Sequence, residues 1–358
     1  MTLPGKPPTE SPAEQGFAMP AEWSPHAATW LSWPFDNELW AGNLDRVRIE
    51  FAALVATIAR FEPVVLNVKD DATQRNARTH LSRTENGLDN VTFHPLPLDD
   101  SWFRDNGPMF VKNSAGQVAL VDWSFNAWGE TFSRWDMDDR APQAVAQTLG
   151  MKRFSFPQVM EGGALEVNAR GVCLTTRACL LSEKRNPTLT QGEIEQVLRD
   201  ALGITQLVWL EAGLEGDHTD GHVDMIARFT DDRTIVCAVE EDEDDTNFET
   251  MQRNFSLLRT LRDAEGTPYS IVELPLPQKR VERDGVRVPL SYANFYIGNG
   301  FVVVPIYDDA NDARALEILR PLFPNQEVIG LDASYLITGG GAFHCVTQQQ
   351  PVGEIYKA

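Results

Sequence analysis

Ala293-Asn294-Phe295-Tyr296-Ile297-Gly298-Asn299-Gly300-Phe301-Val302-Val303-Val304-Pro305-Ile306-Tyr307 reads as a β-hairpin. Two apolar runs meet at an Asn-Gly pair, a strong local signal for chain reversal. A helical stretch follows at Asp312–Leu319, then one more strand at Glu327–Leu331. Outward from this stretch the same order recurs. Pro108–Val111 and Gln117–Trp123 form a hairpin, followed by a helix near Ala141–Leu149 and a strand near Lys152–Phe156. Ala164–Val167 and Val172–Thr176 precede a helix at Thr190–Leu202 and a strand at Gln206–Leu210. In that helix Thr190 and Glu193 form a capping pair, and Gly203 ends it. Asp224–Phe229 and Thr234–Glu240 precede a helix near Asn247–Arg262 and a strand at Tyr269–Leu274.

A fifth unit is split between the chain ends. Ala27–Trp33, a helix near Leu44–Phe61 and a strand at Pro63–Val68 lack one hairpin strand, and Ala342–Thr347 is the strand left over. Pairing the two would close a ring of five α/β units and leave no open sheet edge. Spacings drift over roughly 50 to 70 residues, so form recurs with little shared sequence. The rival is an open α/β sheet; hairpins before every helix, which make antiparallel neighbours, favour the ring.

Residues 1–17, rich in Pro, Glu, Ser and Gly and without the apolar stretch of a signal peptide, are expected to be a flexible tail before a single catalytic domain over 18–358. No apolar run approaches the ~20 residues of a membrane span. The net charge of −21 argues against a nucleic-acid backbone as partner. It is compatible with drawing in a small cation. The acidic run Glu240–Asp245 reads as a solvated loop. The four cysteines, Cys173, Cys179, Cys237 and Cys345, include no C-x-x-C pair and suit a reduced, cytoplasmic setting.

The polar residues gather at or just before the same inner strand of each unit: Trp102 to Gly107, Glu161 to Gly163, Asp217 to Asp224, Ser291 to Asn294, and the glycine run 339–341 leading to Cys345. If rotation relates the units, Cys345, Asp105, Glu161, His222 and Asp224 converge on one central pocket. Two carboxylates can hold a planar guanidinium through charge-assisted hydrogen bonds. A thiolate can attack its central carbon. A histidine can protonate the departing amine and then activate water, with a glutamate orienting the ring. On a strand, His344 would face away from Cys345, whereas His222 and Asp224 would share a face. His26, His80 and His94 read as structural or surface residues, Trp123 and Trp128 as packing, and Cys173, Cys179 and Cys237 as inert core residues. For Trp102, stacking on a substrate cation and a buried structural indole are both open.

Across about Pro20 to Pro351, these segments, with Phe125-Asn126-Ala127-Trp128-Gly129, Arg185-Asn186-Pro187, Ser291 to Tyr296 and His344 to Gln349, resemble agmatine deiminases of the guanidino-group-modifying (pentein) superfamily, relatives of bacterial peptidyl-arginine deiminases. The resemblance implies a five-bladed α/β propeller with pseudo-fivefold symmetry, and hydrolysis without metal or cofactor through an amidino-cysteine. It implies agmatine, a small cationic guanidine, as substrate, N-carbamoylputrescine and ammonia as products, and a place in polyamine biosynthesis. By motif position it makes Cys345 the nucleophile and His222 the acid/base. Asp105 and Asp224 become the guanidinium ligands and Glu161 a supporting carboxylate, with Trp102, His218 and Asp220 at the substrate. The chain departs from the family pattern at His218, where many members are acidic, and at Met225 and Ala342, where many have Asn.

Arginine or peptidyl-arginine deimination and amidino transfer on the same fold are the nearest rivals. A metal-dependent hydrolase using Asp217, His218, Asp220, His222 and Asp224 is more remote, because Gly221 and a following strand break the helix that an H-x-x-x-H site requires. A non-catalytic propeller binding through its rim is the other alternative, and homo-oligomerisation is left open.

Overall fold

The computed structural model describes residues 10–40, 42–85 and 87–357. The chain is α/β, and among the described residues the strands form mixed sheets and one isolated two-strand hairpin, with no single closed barrel. Five sheets share one grammar, an antiparallel pair followed by a parallel strand across a helix. Met109–Asn113 runs antiparallel to Gln117–Ser124, which is parallel to Arg153–Val159 beyond the helix Ala141–Leu149. The order repeats in Glu166–Val167, Val172–Thr176 and Gln206–Leu210. It repeats again in Ala227–Phe229, Thr234–Val239 and Ser270–Pro275, and in Tyr296–Gly298, Phe301–Ile306 and Glu327–Asp332. The helices between the last two strands, Gln191–Leu202, Phe248–Thr260 and Asp312–Leu319, lie where their apolar periodicity predicts. Thr190 and Glu193 make the reciprocal capping bonds, and Gly203 closes the helix at φ 66°.

The split unit joins the two ends of the chain. Thr347–Pro351 pairs antiparallel with His26–Ser32, Thr347 opposite Leu31, and His26–Ser32 runs parallel to Val64–Val68. The joining strand therefore begins where the expected Ala342–Thr347 strand ends. The expected tail over 1–17 is also corrected at its inner end. Ser11 and Glu14 bond each other across a turn, and Phe17, 2 % exposed, pairs with Asn113 on the sheet edge, because burial of that ring outweighs the cost of ordering the chain. Residues 1–9 lie outside the described residues.

A second correction concerns the inner strands. Asp224 and Cys345, expected on them, sit instead on the short helical turns Val223–Met225 and Phe343–Val346, and Asp105, expected just before its strand, lies on the turn Phe103–Asn106. Glu161 and His222 stand at the residue before the turns Gly162–Ala164 and Val223–Met225. A helical turn rotates successive side chains by about 100° rather than the 180° of a strand, so neighbours in sequence can both face inward. The turns also meet one another: Asn294 accepts from the amides of Ala342 and His344, Asp105 from that of Gly163, and Arg228 donates to the Phe295 carbonyl.

Candidate active site

Cys345 lies on the turn Phe343–Val346, behind the run Gly339-Gly340-Gly341. A Cβ at Gly341 would stand 2.7 Å from the Cys345 sulfur, so only glycine lets the chain pass over the thiol. Asn294 fixes the turn: its Oδ1 accepts from the amides of Ala342, His344 and Cys345, and its Nδ2 donates to Sγ at 3.1 Å. Asp224 Oδ2 is 3.5 Å from the sulfur.

Asp105, Asp224 and His222 face the space left by Gly163. A Cβ there would meet His222 Nδ1 at 2.5 Å and Asp105 Oδ1 and Asp224 Oδ2 at 3.0 Å each. Asp105 accepts from the Gly163 amide at 2.8 Å and from the Trp128 indole at 2.9 Å. Trp128 is therefore more than packing. Its indole is delivered by a left-handed turn in which Ala127, Trp128 and Glu130 hold φ values of 52°, 55° and 62°. Such a conformation costs roughly 1–2 kcal/mol per residue and persists only where the surroundings impose it.

His222 is buried, and neither ring nitrogen has a hydrogen-bond partner within the protein. Nδ1 lies 3.8 Å from Asp105 and Nε2 3.9 Å from Glu161. Asp224 Oδ1 is likewise buried and unpartnered. Buried polar atoms without partners are rare, and three on the neighbouring residues His222 and Asp224, beside Asp105 and Cys345, mark a place built for a polar ligand. Glu161, expected to orient the imidazole, is gripped chiefly by Arg185, whose Nε donates to both carboxylate oxygens at 2.9 and 3.0 Å. The same guanidinium takes Asp220 at 2.8 Å, so Asp220 braces Arg185. Glu161, Cys179 and His222 also stand close enough to share a cation, but the Arg185 charge on Glu161 opposes one.

Burial pushes the Cys345 thiol well above its ordinary range, and the charges of Asp224 and Asp105 add to the effect. Burial, then Asp224, then Glu161 push Asp105 up as well. Asp224 goes the other way: burial would raise it, but His344, His222 and Arg228 together hold it below the usual carboxylate value. Burial takes His222 down to about 3, so its ring is neutral at neutral pH.

Over this chamber opens a cavity of about 560 Å³. Trp102, Trp128, His218, Gly339 and Gly340 line it, with Cys345 and its neighbours directly behind. His218 stands edge-on to Trp128 and Phe132, with centroid distances of 5.4 Å, and burial takes it down to about 4. It is thus an uncharged aromatic wall at the entrance. Farther out, the cavity carries Asp36, Asp99, Asp100 and Asp138.

Sequence reasoning missed Asn294, Trp128, Arg185, Glu22 and His344. Asn294, Trp128 and Arg185 stood inside quoted motifs, whereas Glu22 carried no local signal. The exclusion of His344 rested on the strand that is in fact a helical turn; its ring bonds Asp224 Oδ2 at 2.7 Å.

A family model for the Porphyromonas-type peptidyl-arginine deiminase matches residues 18–351. The agmatine deiminase of Ectopseudomonas mendocina is 38% identical over 365 residues, covering 96% of this chain and 98% of that one. The structure of the Enterococcus faecalis agmatine deiminase superposes with a TM-score of 0.91 at 33% identity, covering 97% of this chain and 100% of that one. A substrate-bound agmatine deiminase from C. jejuni gives 0.85 at 30% identity, covering 94% and 97%. The match spans Cys345, His222 and all three carboxylates around them, and the chain belongs to the Porphyromonas-type peptidyl-arginine deiminase family.

Proposed function

We propose that the protein hydrolyses agmatine to N-carbamoylputrescine and ammonia through an amidino intermediate on Cys345. The observation that carries this reading is the buried cluster at Gly163, where two carboxylates and an unpartnered imidazole nitrogen converge, with the thiol against Asp224. Asp105 and Asp224 hold the guanidinium. Its positive charge offsets the anions that keep the thiol protonated, and His222 takes the thiol proton. The thiolate attacks the guanidinium carbon; His222 returns the proton to an –NH₂ group, the C–N bond breaks and ammonia leaves. Water, deprotonated by the now neutral His222, adds to the amidino carbon; the C–S bond breaks and the ureido product departs. Asn294 steadies the sulfur, and Glu161 with Arg185 backs the imidazole.

The cavity favours an amine-bearing tail over a carboxylate-bearing one. Its outer part carries Asp36, Asp99, Asp100 and Asp138 beside Lys69 and Arg134, while Arg283 is engaged by the carbonyls of Glu38, Leu39 and Thr338, and Arg287 by Asp245. With His218 uncharged, the amine is assigned to those aspartates. The reading includes a ring of five blades within one domain over 18–358, supported by the joined chain ends and the inter-unit bonds at Asn294, Asp105 and Arg228. A cytoplasmic setting and a place in polyamine biosynthesis complete it; the four cysteines are free, and among the described residues no helix is long and apolar enough to cross a membrane.

Ammonia release from agmatine, arginine, a peptidyl arginine and methylguanidine tests it. Agmatine is expected to be preferred, an adduct to appear on Cys345 by intact mass, and Cys345→Ala to abolish turnover. Turnover retained in Cys345→Ala would remove the mechanism.

A further inference from the structure

The proposed reaction leaves one buried imidazole without a task. His344, 1 % exposed, lies between two carboxylates: Nδ1 is 2.7 Å from Asp224 Oδ2 and Nε2 is 2.7 Å from Glu22 Oε2. A neutral imidazole carries one N–H and one bare nitrogen. Whichever nitrogen were bare would press its lone pair against a carboxylate oxygen at hydrogen-bonding distance. Glu22 and Asp224 are both held below the usual carboxylate range by the cations around them, so both are anions, and two short contacts to two anions are satisfied together only when both nitrogens carry protons.

The surrounding charges point the same way. Glu22 accepts from Arg228 at 2.9 Å, from Arg104 at 3.4 Å and from the Ile297 amide at 2.8 Å. Glu166 takes the other edge of Arg228 at 2.7 Å. The cluster thus holds three carboxylates, Glu22, Glu166 and Asp224, against two guanidiniums, Arg104 and Arg228. Buried charge is tolerated when it is paired, and an imidazolium at His344 supplies the third cation. Beyond Asp224 the facing groups are Asp105, His222 and Cys345, none of which contributes a positive charge in the empty site.

We infer that His344 is a positioning residue: a buried imidazolium clamped between Glu22 and Asp224, keeping Asp224 ionised and turned toward Cys345. The main chain of His344 is held as firmly as its ring. Its amide donates to Asn294 Oδ1 at 3.1 Å, and its carbonyl accepts from Arg104 Nε at 3.2 Å. The two guanidinium-facing carboxylates therefore differ. Asp224 has a tethered cation, whereas Asp105 has only the neutral donors Gly163 N–H and Trp128 Nε1–H. In the proposed reaction Asp224 is the anion that receives the substrate, and Cys345, next to His344 in the turn Phe343–Val346, is the sulfur that attacks it. The effect on turnover rests on the proposed reaction; the protonation of His344 does not.

Histidine-selective ¹⁵N labelling of the full chain, read through two-bond ¹H–¹⁵N couplings, tests the protonation directly. The six histidine signals are assigned by single substitutions, or His344 by elimination if its own variant fails to fold. Both His344 nitrogens are expected to carry protons at neutral pH, as their two contacts at 2.7 Å require. One bare nitrogen at neutral pH would overturn the inference.

Glu22→Gln keeps an acceptor but removes one flanking charge. It should leave one His344 nitrogen bare at neutral pH and lower kcat/KM for agmatine. Unchanged couplings with an unchanged kcat/KM would count against the clamp. His344→Asn keeps a donor toward Asp224 without its charge and should lose on the order of 10–100-fold in kcat/KM, mainly through KM. A role confined to packing would lower the melting temperature and leave kcat/KM of the folded fraction unmoved. If Cys345→Ala retained turnover, the proposed reaction would fail while the labelling result stood.

Discussion

Asp105 and Asp224 both close on Gly163, yet burial wins at one and loses at the other. Asp105 has neutral donors and is pushed up; Asp224 has His344 and is held down. The same reasoning applies to the thiol, whose neighbours Asp224 and Asp105 add their charges to the effect of burial. Alkylation of Cys345 in the substrate-free protein, followed by intact mass, should therefore be slow at neutral pH and accelerate only above the ordinary thiol value of about 8.5. A fast, pH-independent reaction would mean that a thiolate exists before substrate arrives. Trp128→Phe keeps the ring but removes the 2.9 Å bond to Asp105. With one donor gone the carboxylate turns more freely, and KM for agmatine should rise about 5- to 20-fold, with a smaller change in kcat.

At the scale of elements, the glycine run is anchored from a distant helix. Glu50, on the helix Leu44–Ala59, accepts from the amides of Tyr335 at 3.0 Å and Leu336 at 2.7 Å, just before Gly339 to Gly341 pass over the sulfur. Burial pushes Glu50 up to about 8, despite those two amides. In the unfolded chain a glutamate ionises near 4.3. Below that pH both states hold the proton and burial of Glu50 carries no charge penalty. As pH rises toward about 8 the unfolded state gives up its proton first, so stability falls across that window. Glu50→Gln removes the ionisation while keeping an acceptor. Its stability relative to the parent, measured by melting from about pH 5 to 8, should rise with pH by on the order of 1–3 kcal/mol.

At the scale of the whole molecule, the two ends of the described chain lie on one sheet. Phe17–Ala18 pairs with one strand of a hairpin and Glu354–Ile355 with the other, and the Phe17 and Tyr356 rings stand 5.2 Å apart. A circular permutant that links residue 357 to residue 10 through a short Gly/Ser segment, opened between the exposed Asp242 and Glu243, should fold and release ammonia from agmatine. An insoluble or inactive permutant would mean that the present ends do more than close the sheets.

Local sequence alone determined the recurring hairpin, helix and strand, because an Asn-Gly turn, a Thr190–Glu193 cap and alternating apolar residues act over a few positions. It also named Cys345, His222, Asp105, Asp224 and Glu161, because their residue types suit guanidine chemistry and their motifs fall at matching places in the repeat. It could not show that those places are helical turns, since each is only three or four residues long and is held by bonds from other units, as Asn294 holds the turn of Cys345. Only the tertiary structure brought Glu22 to His344 across 322 positions of sequence, or turned Trp128 onto Asp105. A buried charge has to find its partner in space, and residues so far apart leave no periodicity to read.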